Sequence, residues 1–254
     1  MDLTLATASP LSIAVVVALI MFAVWLFGTW MGRQLNARGA GKPSKFDDAS
    51  IALLGLLLAF AFGVSLSKYE QRRMAVIEDS TAIGDFYTCA TLLKEPIRSK
   101  LQAVVREYTR IRFELASKAI NYAELEKALP QMQIAHQQMT ELVSQALSDG
   151  TPIAVPLTNT LNAVTTKHAV RLAAVSDRLP ATVAILLVTT AIISTMLIGR
   201  EQGATGEREI AGTICFILLV TLVMYVIFDL NRPESGLIRI SQQPIERLLS
   251  SMSK

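Results

Sequence analysis

With 254 residues, 52% of them apolar, and a positive mean hydropathy, the chain is too apolar for an ordinary water-soluble domain of its size. Its 24 basic and 21 acidic side chains leave a net charge of +3, and basic residues in the middle region alternate with acidic ones, which argues against a nucleic-acid partner. Cys89 lies in polar sequence and Cys215 in an uncharged block, so no disulfide framework is expected.

From Leu3 to Gly32 there is no charge, and the densest apolar run, Leu11 to Trp30, is close to the roughly 20 residues needed to cross a hydrocarbon core. The start Met-Asp-Leu-Thr lacks a basic region and no small-x-small site follows, so this first span is expected to be retained rather than cleaved as a signal peptide. Span two is predicted between Asp48 and Lys68. Span three is predicted over Ala181 to Gly199, behind Pro180, and span four over Ile210 to Phe228. Each must be helical, because a backbone amide in lipid finds its partner only within its own segment.

The polar stretch from Lys68 to Arg178 contains nothing long and apolar enough to cross. Leu101, Val104, Val105, Tyr108 and Ile111 recur at three and four residues, with Arg106, Arg110 and Arg112 on other faces, which is helical spacing. Pro96, Pro130 and the turn Asp149-Gly150-Thr151-Pro152 are expected to divide it into about four helices. No Gly or Pro separates Leu66 from Asp79, so the first of these should continue span two. The reading is an all-α membrane protein: spans one and two in 1–67, an extramembrane helical domain in 68–180, spans three and four in 181–228, and a polar tail in 229–254.

Charge flanking the spans divides on orientation. Arg33, Arg38, Lys42 and Lys45 follow span one, favouring an outside N-terminus and helical domain. Lys68, Arg72, Arg73, Lys167, Arg171, Arg178, Arg232 and Arg239 lie near span ends on the opposite side and favour the reverse. An even number of spans places both termini on the side of the helical domain.

Few residues suggest chemistry. His136 and His168 have no Cys or carboxylate at metal-ligand spacing, and no Gly-x-Ser-x-Gly elbow or phosphate-cradling glycine loop occurs. No charge interrupts the four spans, which disfavours a proton relay or coupled transporter, and no base accompanies their Ser, Thr and Cys, which disfavours an intramembrane enzyme. No cofactor or metal is expected.

On span two, Leu56, Phe60 and Val64 recur every four residues on one face, beside the small residues Ala59, Ala61 and Gly63. These are either packing and lipid-facing residues or, if several copies surround an axis, an apolar constriction that gates by dewetting. The abrupt polar change that follows, with Lys68, Glu70, Arg72, Arg73, Glu78 and Asp79, suits a hydrated vestibule below such a neck.

The segment Leu53-Leu54-Gly55 through Phe60 and Gly63, then Lys68-Tyr69-Glu70-Gln71-Arg72-Arg73 and Asp79-Ser80-Thr81-Ala82-Ile83-Gly84, resembles the bacterial bestrophin-like family. After span four, Phe228-Asp229-Leu230-Asn231-Arg232-Pro233-Glu234-Ser235-Gly236 resembles that family's closing Asp-Leu-Asp-Arg-Pro-x-x-Gly motif, with Asn231 in place of an acidic residue. The resemblance spans nearly the whole chain. More distantly it implies the bestrophin channels: homopentamers in a bilayer, here a bacterial inner membrane, passing small inorganic ions through an apolar neck built by the second helix. It places Leu56, Phe60 and Val64 near that neck and the helical domain and both termini in the cytoplasm. Bacterial relatives slightly favour a cation. The bestrophin tryptophan pair after the neck helix is absent, with Arg72-Arg73 roughly in its place. Asp229 and Glu234 lie where animal bestrophins bind calcium, but their spacing reproduces no calcium clasp and no metal site is carried over. The alternative is a membrane-anchored interaction or sensor protein with no pore.

Overall fold

The computed structural model describes residues 9–37, 45–117, 122–206, 209–232 and 236–252. The described residues form eight helices, which we number α1 (Pro10–Ala37), α2 (Lys45–Thr91), α3 (Ile97–Ser117), α4 (Tyr122–Ser148), α5 (Ala154–Ser176), α6 (Ala181–Thr205), α7 (Ile210–Leu230) and α8 (Gln243–Ser251). Two compact units emerge, one of residues 1–69 and 178–238, the other of residues 70–177 and 239–254.

The first unit holds the apolar helices. Among the described residues, four helical stretches are long and apolar enough to cross a membrane: Pro10–Leu35, Asp48–Thr91, Ala154–Thr205 and Ile210–Leu230. The third contains both α5 and α6, and its uncharged run from Ala181 to Ile198 belongs to α6. Met21, Leu54, Leu187, Met224 and Ile227 form its fully buried core. The tightest contact is between α1 and α6, where four glycines interlock. A Cβ on Gly28 or Gly32 would strike the backbone oxygens of Met196 or Arg200, and one on Gly199 or Gly203 those of Trp25 or Thr29. Two facing Gly-x-x-x-Gly sequences thus let backbone meet backbone, the means by which helices associate where burying apolar side chains gains nothing over lipid. Beside this contact the Trp25 indole N–H donates to Gln202 Oε1 at 3.0 Å, and Gln202 Nε2 donates to Thr213 Oγ1 at 2.8 Å, tying α1, α6 and α7 together.

In the second unit, the α2 residues from Glu70 onward, α3, α4, α5 and α8 surround Ile83, Phe86, Leu101, Tyr108, Met139 and Leu157. α2 runs unbroken through Ser67 to Asp79, as expected where no Gly or Pro intervenes. Pro96 precedes α3. α4 ends in the anticipated turn: Gly150, at φ +69°, donates to Leu147 O, and Thr151 N–H reaches back to Ala146 O at 3.2 Å, a glycine-terminated helix end. Pro130 departs from expectation, for it lies inside α4 and does not divide it. Beyond it Met132, Ala135, Met139, Val143 and Ala146 are all buried in the unit's core, and that packing offsets the single backbone hydrogen bond a proline removes.

Candidate functional site

α2 presents two faces within the first unit. Leu54, Leu58, Ala61 and Ser65 are buried, at spacings of three and four. Opposite them Leu56, Phe60 and Val64 are 54%, 66% and 44% exposed, an i, i+4, i+8 stripe that nothing in the protomer covers. Gly55 and Gly63 adjoin the stripe with no atom within 4 Å of where a Cβ would stand. Ala59 is exposed there as well, whereas Ala61, grouped with it from sequence, faces the core.

The charges that follow separate into two groups. Lys68 is half-buried; Glu70, Arg73 and Glu78 are exposed. Arg73 pairs with Glu70 at 3.4 Å, and Glu78 accepts from Lys167 Nζ at 3.0 Å, both solvated pairs of small energetic worth. Arg72 and Asp79 depart from the expectation of vestibule charges, being 2% and 0% exposed inside the second unit. Arg72 donates to the carbonyls of Ala174 at 3.0 Å and Asp177 at 2.7 Å, so a cation satisfies the orphan acceptors at the C-terminal end of α5.

Asp79 is the centre of a buried ionic cluster. Its Oδ2 accepts from Arg112 at 2.7 Å and from Arg171 at 3.0 Å, while Oδ1 is buried with no hydrogen-bond partner. Arg112 also donates to the Tyr108 hydroxyl at 2.8 Å with its guanidinium 5.4 Å from the ring centroid, and Arg171 donates to Gln242 Oε1 at 3.1 Å. Burial, followed by the Arg112 charge, holds Arg171 below its usual pKa, and burial raises that of Tyr108. His168 lies within reach of these charges with its Nδ1 buried and unpartnered; burial and then Arg112 push its pKa down to about 4. His136 bonds Thr165 Oγ1 through Nε2 at 2.7 Å. The described residues contain no group of three or more potential metal ligands.

By local sequence alone Asp79 reads as a solvated charge and Arg112 as an outer-face residue. The signal that corrects the first is register: Arg72, Val76, Asp79, Ile83 and Phe86 recur at three and four residues, so Asp79 belongs to the stripe that Ile83 and Phe86 mark as core.

At the end of α7, Asp229 is 2% exposed and its carboxylate accepts the backbone N–H groups of Leu237 and Ile238, each at 2.9 Å. Gly236 lies so close that a Cβ there would come within 2.9 Å of Asp229 Oδ1. The Asp and Gly of this motif therefore fold the chain back on the helix end. Asn231, in the position of the family's acidic residue, accepts the Leu179 N–H through Oδ1 at 2.6 Å. Glu234, with Pro233 and Ser235, lies outside the described residues.

A family model described as a Bestrophin-like domain matches residues 14–245. The crystal structure of a bacterial bestrophin homologue from Klebsiella pneumoniae, carrying a tryptophan-to-alanine mutation, superposes with a TM-score of 0.75 over 97% of this chain and 98% of that one. Sequence identity is 12%, so the likeness is one of fold. No curated protein matches the chain.

Proposed function

The chain belongs to the bestrophin-like family, and from that premise we propose that it is a homopentameric ion channel of a bacterial inner membrane. It is an all-α membrane protein with four apolar helices and a helical domain between spans two and three, a bestrophin-like fold. In this reading the α2 helices of neighbouring subunits surround a common axis, and Leu56, Phe60 and Val64 form an apolar neck. Small inorganic ions, cations slightly preferred, pass it when the neck wets. The vestibule beyond is lined by Lys68, Glu70, Arg73 and Glu78, and the domain at 68–180 faces the cytoplasm together with both termini and the 229–254 tail.

The observation that carries this reading is the bare stripe on α2. A helix that buries Leu54, Leu58 and Ala61 leaves large apolar side chains, Leu56, Phe60 and Val64 among them, uncovered on its other side, flanked by Gly55, Ala59 and Gly63, which allow a second helix close approach. The reading contains no enzymatic step.

Replacing Leu56, Phe60 and Val64 together by Ala should raise single-channel conductance in planar bilayers, since a wider constriction is easier to wet. Unchanged currents sink the neck assignment. Mass measurement of the detergent-solubilised particle should give five subunits; a monomer or dimer would leave an anchored interaction protein instead. Labelling of the half-buried Cys89 only after the inner membrane is opened would place the helical domain inside.

A further inference from the structure

One guanidinium ties the C-terminal helix to the ionic cluster of the second unit. Arg171 of α5 donates to Asp79 Oδ2 at 3.0 Å through one terminal nitrogen and to Gln242 Oε1 at 3.1 Å through the other. Gln242 donates in turn through Nε2 to the Ile240 carbonyl at 3.2 Å, and its own carbonyl accepts the N–H groups of Ile245 and Glu246. The residue that Arg171 holds is therefore the one from which α8 starts. With nine residues, α8 is too short to persist as a helix by itself. It depends on what it touches: Ile245 and, just past its end, Met252 are buried, Leu248 packs on the unit's core, and the Met252 carbonyl accepts from the Tyr87 hydroxyl at 3.5 Å.

The same arginine has a histidine for a neighbour. His168 precedes it by three residues on the face of α5 that Leu157, Leu161 and Val164 mark as buried, a spacing that sets the two side chains side by side. Asp79 of α2, Arg112 of α3 with its partner Tyr108, and His136 of α4, bonded to Thr165 one turn before His168, complete the charged and titratable surroundings, with the Lys167–Glu78 pair at the solvated rim. The cluster already sets two cations against one carboxylate. Arg112 is the more firmly held, 2.7 Å from Asp79 and bonded to Tyr108 as well, whereas Arg171 has the longer bond and the more exposed side chain. A third positive charge would displace Arg171 first. Asp79 Oδ1 and His168 Nδ1, both buried and unpartnered, offer an acceptor on the cluster and a nitrogen on the ring for that exchange.

We propose that Arg171 is a latch for the C-terminal helix and that acid opens it: a proton taken up from water by His168 drives Arg171 off Asp79 and Gln242, and α8 loses its N-terminal anchor. The closed cluster keeps that proton off the ring, since burial and then Arg112 lower the affinity of His168 for it. The closed form is accordingly complete above about pH 6.5, and the open form gains as pH falls toward about 4. Asp79 and Arg112 remain paired throughout, so the rest of the unit keeps its core. The latch is independent of the pore reading, and its test requires no current.

The test is hydrogen exchange read by mass spectrometry on the full-length protein in detergent, expressed as protection factors corrected for the intrinsic effect of pH. Between pH 7 and 4.5, protection from Ile245 to Met252 should fall about tenfold, while Leu101 to Thr109 of α3 keeps its own. His168→Gln should abolish the fall, and His136→Gln should leave it intact. Gln242→Ala removes the tether without touching the histidine and should bring α8 close to its acid level already at pH 7, an outcome that decides the matter even where His168→Gln does not fold. Protection of α8 that holds down to pH 4.5, a fall that survives His168→Gln or disappears with His136→Gln, a Gln242→Ala helix as protected as the native one, or α3 opening together with α8 would overturn the latch.

Discussion

The two units solve the packing problem in opposite ways. In the first, α1 and α6 meet through Gly28, Gly32, Gly199 and Gly203, backbone against backbone. In the second, helices are held apart by large side chains, Phe86, Tyr108, Met139 and Leu157, and the core includes three charged groups, Asp79, Arg112 and Arg171. The surrounding solvent explains the contrast. Apolar side chains leaving water contribute about 25 cal/mol per Å², so water rewards bulk. Side chains leaving lipid contribute almost nothing of that kind, and close approach of small residues takes its place.

The ionic core should be the most sensitive to change. Asp79→Ala leaves Arg112 and Arg171, with side chains 4% and 13% exposed, buried around no counter-charge. A loss of about 3 to 5 kcal/mol is expected, enough to unfold the second unit at moderate temperature. Thermal unfolding in detergent followed by circular dichroism measures it, with proteolytic cleavage confined to residues 70–177 as the local signature. A loss below about 1 kcal/mol would mean that water, not the arginines, balances Asp79.

Acid should reach the same cluster by another route. His168, facing Asp79, Arg112, Arg171 and His136, has its pKa lowered from 6.5 to about 4, so folding keeps a proton off it. The stability this neutral histidine supports is complete above about pH 6.5 and is lost as pH falls through about 4. It amounts to about 1 to 2 kcal/mol once the partial solvation of the ring is allowed for. Unfolding midpoints at pH 7, 5.5 and 4 for the native chain and His168→Gln give the comparison. The variant should be flatter across that window, and parallel curves would place the acid sensitivity elsewhere.

Much of this division between the units is legible in the sequence. The spans announce themselves because lipid excludes charge, and the continuity of α2 follows from the lack of a breaker between Leu66 and Asp79. The turn at Gly150 is readable because a helix end needs a residue that tolerates positive φ. What escapes is non-local. Asp79 meets Arg112 and Arg171 across 33 and 92 residues of chain, and a carboxylate beside Glu78 reads as solvated until its register with Ile83 and Phe86 is taken seriously. Gly28-x-x-x-Gly32 and Gly199-x-x-x-Gly203 each carry a recognised spacing, but neither says that the other is its partner. Pro130 misleads because breaking a helix is only a local tendency, and Met132 to Ala146 override it by packing.

The glycine contact yields an effect of comparable size. Gly203→Ala places a methyl group against the Thr29 carbonyl oxygen, and α1 and α6 must separate to admit it. Overpacking of this kind costs about 1 to 3 kcal/mol. Trp25 supplies the readout, because its indole bond to Gln202 joins the same two helices: its fluorescence should shift as they part. An unchanged spectrum and midpoint would mean that the two backbones do not touch at Gly203.

The smallest expected effect bears hardest on function. Phe60 is 66% exposed in the protomer and touches none of the contacts that hold either unit together, so Phe60→Ala should move the unfolding midpoint by less than about 0.5 kcal/mol in detergent. A side chain lining a wettable constriction faces open space on one side, and its removal changes what passes more than what holds. Stability near native together with raised conductance is therefore the signature of a neck residue. A Phe60→Ala protein destabilised as much as Gly203→Ala would reveal a buried contact in the assembly, and the stripe on α2 would then be packing surface in the manner of Leu54 and Leu58.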